Sequence, residues 1–176
     1  GRELWRVNGL NPKNLDVFRL IASPIAADGM IYVTGRRGPV FAIKAGGEGD
    51  LTATNIVWKW EEAHAPDVPT PICDGTYFYM VDDIGVVYCL DAKTGGVIWG
   101  PEHTARGAVS ASPLLGDGHL YVTNEAGVTT VLAAGTEFKS LATNKLDAKK
   151  VLSTFAVSGN RLYLRTESHL YCIGQQ

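Results

Sequence analysis

Four histidines, three cysteines and 18 Asp and Glu residues are the side chains of this 176-residue sequence best suited to chemistry, and few of them cluster. The densest group is Glu61, Glu62, His64 and Asp67, with Asp82 and Asp83 in the next polar turn. Carboxylates with a histidine are donors that suit a divalent cation. The plainer reading of the same six residues is a solvated acidic rim. No Cys-x-x-Cys, His-Glu-x-x-His, Gly-x-Ser-x-Gly, phosphate-binding glycine loop or calcium-loop spacing occurs. Gly46-Gly47-Glu48-Gly49 lacks the spacing of a dinucleotide fingerprint and reads as a flexible turn. The sequence therefore nominates no catalytic, cofactor-binding or metal-ligating residue.

Trp5, Trp58, Trp60 and Trp99 could form a stacking platform for a sugar, a base or a quinone. Their recurrence at equivalent positions argues instead that each ring is buried in packing, since a tryptophan buries about 150–250 Å². Carbohydrate binding would require Tyr77, Trp58 or Trp60 to face solvent. Cys73, Cys89 and Cys172 are an odd set and leave at least one free thiol. Cys89 in Tyr88-Cys89-Leu90 and Cys172 in Tyr171-Cys172-Ile173 are equivalent, and both are expected to be small buried residues, too far apart for a disulfide.

The elements that must hold these residues are strands. Asp74–Trp99 sets the unit: an Asp-Gly turn, the run Tyr77–Val81, a turn at Asp82–Gly85, the run Val86–Leu90, the turn Asp91–Gly95 and a last run ending in Trp99. Thr70–Cys73 adds a strand before it, making four. Glycine (20 residues) is enriched and charged residues (19%) are sparse, as in a turn-rich β protein. The turn glycines Gly29, Gly75, Gly118 and Gly159 recur at intervals of 46, 43 and 41 residues. Four strands in a period of about 40–50 residues mark a β-propeller blade.

The reading is all-β, with four-stranded antiparallel blades at 22–60, 68–99, 111–142 and 152–174. The last lacks its outer strand. Gly1–Trp5 repeats the end of a blade, Gly95–Trp99, and is expected to be the outer strand of a preceding or a closing blade. In a closed ring it would complete the last one. In the third repeat Leu141 is expected at the tryptophan position. The whole, 1–176, is expected to be one propeller segment, the C-terminal part of a larger ring; a four-bladed ring or two chains sharing eight blades are the alternatives.

In such a ring the loops entering strand one and those joining strands two and three share one face. That face would collect Arg36, Arg37, Glu61, Glu62, His64, Asp67, Asp82, Asp83, His103, Arg106, Glu125, Arg165, Glu167 and His169. Arg36, Arg37 and Arg106 suit an acidic segment of a partner protein. The net charge of −2 gives no footprint for nucleic acid, and no apolar run approaches the roughly 18 residues of a membrane span.

Cys89-Leu90-Asp91-Ala92-Lys93-Thr94-Gly95-Gly96-Val97-Ile98-Trp99 resembles the tryptophan-docking motif of pyrroloquinoline-quinone-type propeller repeats, with Cys89 in place of the usual small alanine. Ser23-Pro24, Thr70-Pro71 and Ser112-Pro113 fit the same pattern. The family includes quinoprotein dehydrogenases and non-enzymatic relatives such as the propeller lipoprotein of the outer-membrane β-barrel assembly machine. The dehydrogenases' adjacent-cysteine ring is absent here, and no calcium-ligand set or catalytic aspartate can be matched. The resemblance thus implies a non-catalytic, periplasmic or secreted scaffold. It would bind a protein or peptide on a loop face or edge strand, with self-association to complete the ring as a further expectation. The alternative is a fragment of a quinoprotein oxidoreductase using pyrroloquinoline quinone with calcium.

Overall fold

The computed structural model describes residues 1–174; Gln175 and Gln176 lie outside them. Its strands run in chain order. Strand β1 is Trp5–Arg6. Blade one holds β2 (Ile25–Ala27), β3 (Met30–Thr34) and β4 (Val40–Lys44), then a two-residue strand β5 (Gly49–Asp50), then β6 (Ile56–Trp60). Blade two is β7 (Ile72–Cys73), β8 (Tyr77–Val81), β9 (Val86–Asp91) and β10 (Val97–His103). Blade three is β11 (Leu114–Gly116), β12 (His119–Thr123), β13 (Val128–Ala133) and β14 (Ser140–Lys145), and blade four is β15 (Ala156–Ser158), β16 (Arg161–Arg165) and β17 (Leu170–Ile173). Blades one to three are antiparallel four-stranded sheets; blade four has three strands.

The middle strands are continuous apolar runs because both faces of a blade are covered. In blade two, Phe78, Met80, Val86, Tyr88 and Leu90 pack toward blade one. The alternate residues Tyr79, Val81, Val87 and Cys89 pack toward blade three. The period-2 geometry of a strand splits one run into two cores. A third, smaller core around Val151, Phe155 and Leu164 joins blades three and four. Asp28-Gly29 and Asp117-Gly118 both take positive φ (49° and 74°, 49° and 70°), the two-residue hairpin turn that matches strand twist.

The docking motif has a direct physical reading. Asp91 Oδ1 accepts the Lys93 and Thr94 N–H groups and the Thr94 hydroxyl, closing the turn. Gly95 has φ 73°, and a Cβ there would lie 2.7 Å from the Trp58 ring of the preceding blade. Glycine is therefore required for two reasons at once. Trp58 Nε1 donates to the Ala92 carbonyl at 2.9 Å, and Trp99 Nε1 to the Gly135 carbonyl at 2.8 Å. Each tryptophan thus docks on the loop between the third and fourth strands of the next blade.

Three expectations change. Trp58 pairs with Ala42 and Trp99 with Cys89, and the residue at that register in blade three is Ala142, opposite Val131. Leu141 is exposed on the other face; a one-residue register step moves a side chain across the sheet. Cys172 is exposed while its counterpart Cys89 is buried, because blade three covers the Cys89 face and the structure places nothing over the Cys172 face. Finally, β1 does not complete blade four. It runs parallel to β5, with Trp5 opposite Gly49.

Candidate functional site

Two kinds of loop build the loop face, the tight turns between second and third strands and the connections between blades. In blade two the turn is fastened by Asp82, whose Oδ1 accepts the Ile84 and Val86 N–H groups at 3.0 and 2.8 Å. Asn124 does the same in blade three for Ala126 and Val128. The turns then hold the connections. The Val109 N–H donates to the Asp83 carbonyl, and the Val151 N–H to the Glu125 carbonyl, both at 2.9 Å.

The predicted acidic group comes together only in part. Asp67 has a fully buried side chain and is clamped by two arginines. Arg19 Nε and Nη2 reach it at 3.1 and 2.6 Å, and Arg36 Nε at 3.3 Å. Burial pushes the Asp67 carboxyl up, but the hydrogen bonds and charges of Arg19 and Arg36 outweigh it and hold the group below the usual carboxylate range. Asp83 goes the other way. Burial and the nearby charges of Asp67 and Asp82 hold it above that range, only partly offset by the Val68 N–H bonded to its Oδ1.

His64 is 2.8 Å from Asp82 Oδ2 through Nδ1. A carboxylate only accepts, so Nδ1 carries the proton and a neutral ring presents Nε2 as an acceptor. Arg37, His64, Ala65, Asp82, Asp83 and Ile84 line a shallow cleft of about 240 Å³. Arg37 and Ile84 stand exposed at its rim. This carboxylate–imidazole pair has the orientation used to align a base. Its cleft, however, is lined by no serine, threonine or cysteine. What it can do is accept one hydrogen bond, pair a carboxylate with Arg37 and pack an apolar group on Ile84.

The remaining loop residues scatter. Glu61 and Glu62 are exposed. His103 closes β10 opposite Val86. The Arg106 carbonyl accepts from Asn124 Nδ2, and Glu125 accepts the Ser110 hydroxyl at 2.6 Å. Arg165 and Glu167 line a separate hollow beside Ser153, and His169 Nδ1 meets the Ser168 hydroxyl. Among the described residues no group of three or more His, Cys, Asp or Glu side chains gathers in a way that could hold a metal. The six residues instead divide among a latch of two arginines on Asp67, a His64–Asp82 pair, Asp83 bonded to the Val68 N–H and two exposed glutamates.

Nor do the tryptophans form a platform. Trp58, Trp60 and Trp99 are buried between blades. Among the described residues no aromatic side chain is fully exposed and no donor set gathers, so these residues do not fit a quinone with calcium.

Sequence reasoning missed Arg19, which sits in the irregular connection 7–24 with no periodic signal. It also missed the role of the hydroxyls at the strand-one entrances. The Ser23 N–H donates to Thr70 Oγ1, the Thr70 N–H to Ser112 Oγ and the Ser112 N–H to Thr154 Oγ1, at 2.9, 2.9 and 3.0 Å. The Ser-Pro and Thr-Pro repeats carried that signal.

Successive four-stranded antiparallel sheets joined by tryptophan docking make this chain a β-propeller. A family model described as outer membrane protein assembly factor BamB matches residues 49–138, and the chain belongs to that family of pyrroloquinoline-quinone-type repeats. An outer membrane protein assembly factor BamB from Nitrosomonas eutropha is 25% identical over 174 residues, covering 91% of this chain and 41% of that protein. Quinoprotein alcohol dehydrogenase PedH from Pseudomonas putida is 29% identical over 119 residues, covering 60% of this chain and 18% of that protein. The chain thus spans less than half the length of either relative.

Among solved structures, BamB from Moraxella catarrhalis superposes with a TM-score of 0.70 at 14% identity, over 99% of this chain and 48% of that one. The computationally designed Ika4 protein superposes with a TM-score of 0.71 at 14% identity, over 99% of both chains. These two likenesses speak to fold alone. Among the described residues no helix is long and apolar enough to cross a membrane.

Proposed function

We propose that this chain is a non-catalytic propeller scaffold that presents its loop face to a protein or peptide partner in a periplasmic or secreted setting. One observation carries the reading. The buried charges of the face are spent on internal bonds, Asp67 on Arg19 and Arg36 and Asp82 on His64 and the turn amides. They stiffen the loops and leave Arg37, His64 and the exposed Ile84 projecting. A rigid surface with an apolar tip flanked by a cation and a hydrogen-bond acceptor is suited to a peptide bearing a carboxylate and an aliphatic side chain. Membership of a family described as an assembly factor points to protein contacts, and the compartment follows by the same resemblance.

The test is binding by the immobilised chain and two variants, Arg37→Glu and Ile84→Asp. Both should keep the native melting temperature and lose a partner captured by the unaltered chain. Equal capture by all three would remove the loop face from the interaction.

A second reading, a fragment of a quinoprotein oxidoreductase, is favoured by the match to PedH. Under it the cofactor seat would be built by blades outside these residues.

A further inference from the structure

The connection that enters blade one, 7–24, is longer than those that enter blades two and three, 61–71 and 104–113. Its extra length folds back on itself. The Leu15 N–H donates to Asn11 Oδ1 at 3.1 Å and Asn11 Nδ2 donates to the Leu15 carbonyl at 3.0 Å, so one amide side chain closes the loop 11–18. The Asn14 N–H meets the Asn11 carbonyl and the Phe18 N–H the Leu15 carbonyl, at 3.0 and 3.2 Å.

This loop and the turn between β3 and β4 wall a hollow of about 290 Å³, lined by Pro12, Lys13, Leu15, Phe18, Arg36 and Arg37. Both walls are pinned to one carboxylate. Arg19, which follows Phe18 in the loop, bonds the buried Asp67 at 2.6 Å, and Arg36 in the turn bonds it at 3.3 Å. The latch on Asp67 therefore fixes the two walls relative to each other.

The lining divides into two kinds of side chain. Lys13, Arg36 and Arg37 are cations, and no carboxylate stands with them; Asp16, the one acid of the loop, is not in the lining. Asp67 takes only Nε of Arg36. Among the described residues the terminal nitrogens of Arg36 and the charged groups of Lys13 and Arg37 bond no acceptor. Arg37 holds φ 55°, a region where a residue with a Cβ is uncommon, so this turn keeps an arginine where glycine would be less strained. Three like charges on one hollow repel, and an anion relieves that repulsion. Pro12, Leu15 and Phe18 supply the apolar half. The volume lies just under the roughly 300–1,000 Å³ of pockets for drug-sized ligands, which suits a ligand of about one amino-acid residue.

We propose that this hollow binds an organic carboxylate of that size, its carboxylate on Lys13, Arg36 and Arg37 and its apolar body against Leu15 and Phe18. Guanidinium groups match a carboxylate in a planar, two-point fashion. The carboxylate is supplied either by a free acid or by the C-terminal residue of a peptide. The hollow shares only Arg37 with the cleft at His64, and the inference does not rest on the scaffold reading.

The experiment is an amide-shift NMR titration of the purified chain with N-acetyl-leucine, its uncharged analogue N-acetyl-leucinamide, and inorganic phosphate. The acid should move the signals of 12–18 and 36–38 saturably. The amide, which lacks the charge, and phosphate, which lacks the apolar body, should each bind at least about tenfold more weakly, the loss of one charge-assisted contact. Lys13→Glu and Leu15→Asp place a carboxylate in the lining and should abolish binding of the acid with the melting temperature unchanged. Ile84→Asp, in the His64 cleft alone, should leave it intact. Acetyl-Gly-Gly-Leu with a free carboxylate separates the two sources: binding at least as tight as the single acid supports a peptide terminus, and weaker binding supports a free acid. No saturable shift with the acid would overturn the proposal. So would equal binding of acid and amide, binding that survives Lys13→Glu, or binding lost in Ile84→Asp.

Discussion

At the scale of single residues, the two loop aspartates are predicted to act on stability with opposite signs. Asp67 is held below the ordinary carboxylate range once both arginines are counted against its burial. Its stabilisation is therefore complete above the unfolded-state value and lost as pH falls through the folded-state value. Asp67→Asn should cost about 1.5–3 kcal/mol at neutral pH, the range for hydrogen bonds to charged groups. The lower part is expected because Arg19 and Arg36 are partly exposed and screened. Its denaturation curve should merge with that of the unaltered chain in acid. Asp83 is held above the usual range, so its ionised form costs stability at neutral pH and the cost is relieved on acidification. Asp83→Asn should leave the neutral-pH midpoint unchanged or raised; a loss matching that of Asp67→Asn would refute the assignment. The sequence displayed these carboxylates and placed them on one face. It did not display their partners, because Arg19 reaches Asp67 across 48 residues from an irregular segment.

At the scale of elements, the blade is a unit that cannot cover its own faces, and its outer strand is tied to the next blade by one indole. Trp99 packs against Tyr79 and Phe138 while bonding the Gly135 carbonyl. Trp99→Ala is therefore expected to cost about 3–5 kcal/mol, read as a lowered midpoint in urea; an unchanged midpoint would refute the docking role. Strand identity and turn chemistry were legible because apolar runs of about five residues alternate with Asp-Gly and Thr-Gly turns. Register was less so. Ala142 rather than Leu141 stands at the tryptophan position because every complete blade carries an outer-strand irregularity at this register, and the residue it leaves unpaired is Val57 in blade one, Ile98 in blade two and Leu141 in blade three. The fate of Cys172 was illegible for a related reason. Its strand is an ordinary repeat, and its exposure is decided by what stands beside the blade.

At the scale of the whole molecule, the repeat period named the architecture, and membership of the family described as outer membrane protein assembly factor BamB followed from residues 49–138. Function was far less visible. The residues whose types suggested chemistry are mostly used to fix loops, and the same loops on the same blades suit either an assembly scaffold or a cofactor enzyme. The scaffold account holds that this arc takes no quinone. The most direct measurement is tryptophan fluorescence and thermal melting of the chain with and without pyrroloquinoline quinone plus calcium. A native-state ligand at 100 times its Kd stabilises by about 2.7 kcal/mol, which for a domain of this size raises the midpoint by roughly 5–10 °C. The scaffold account predicts one cooperative melt with no saturable quench and no such rise. A saturable quench accompanied by that rise would contradict it.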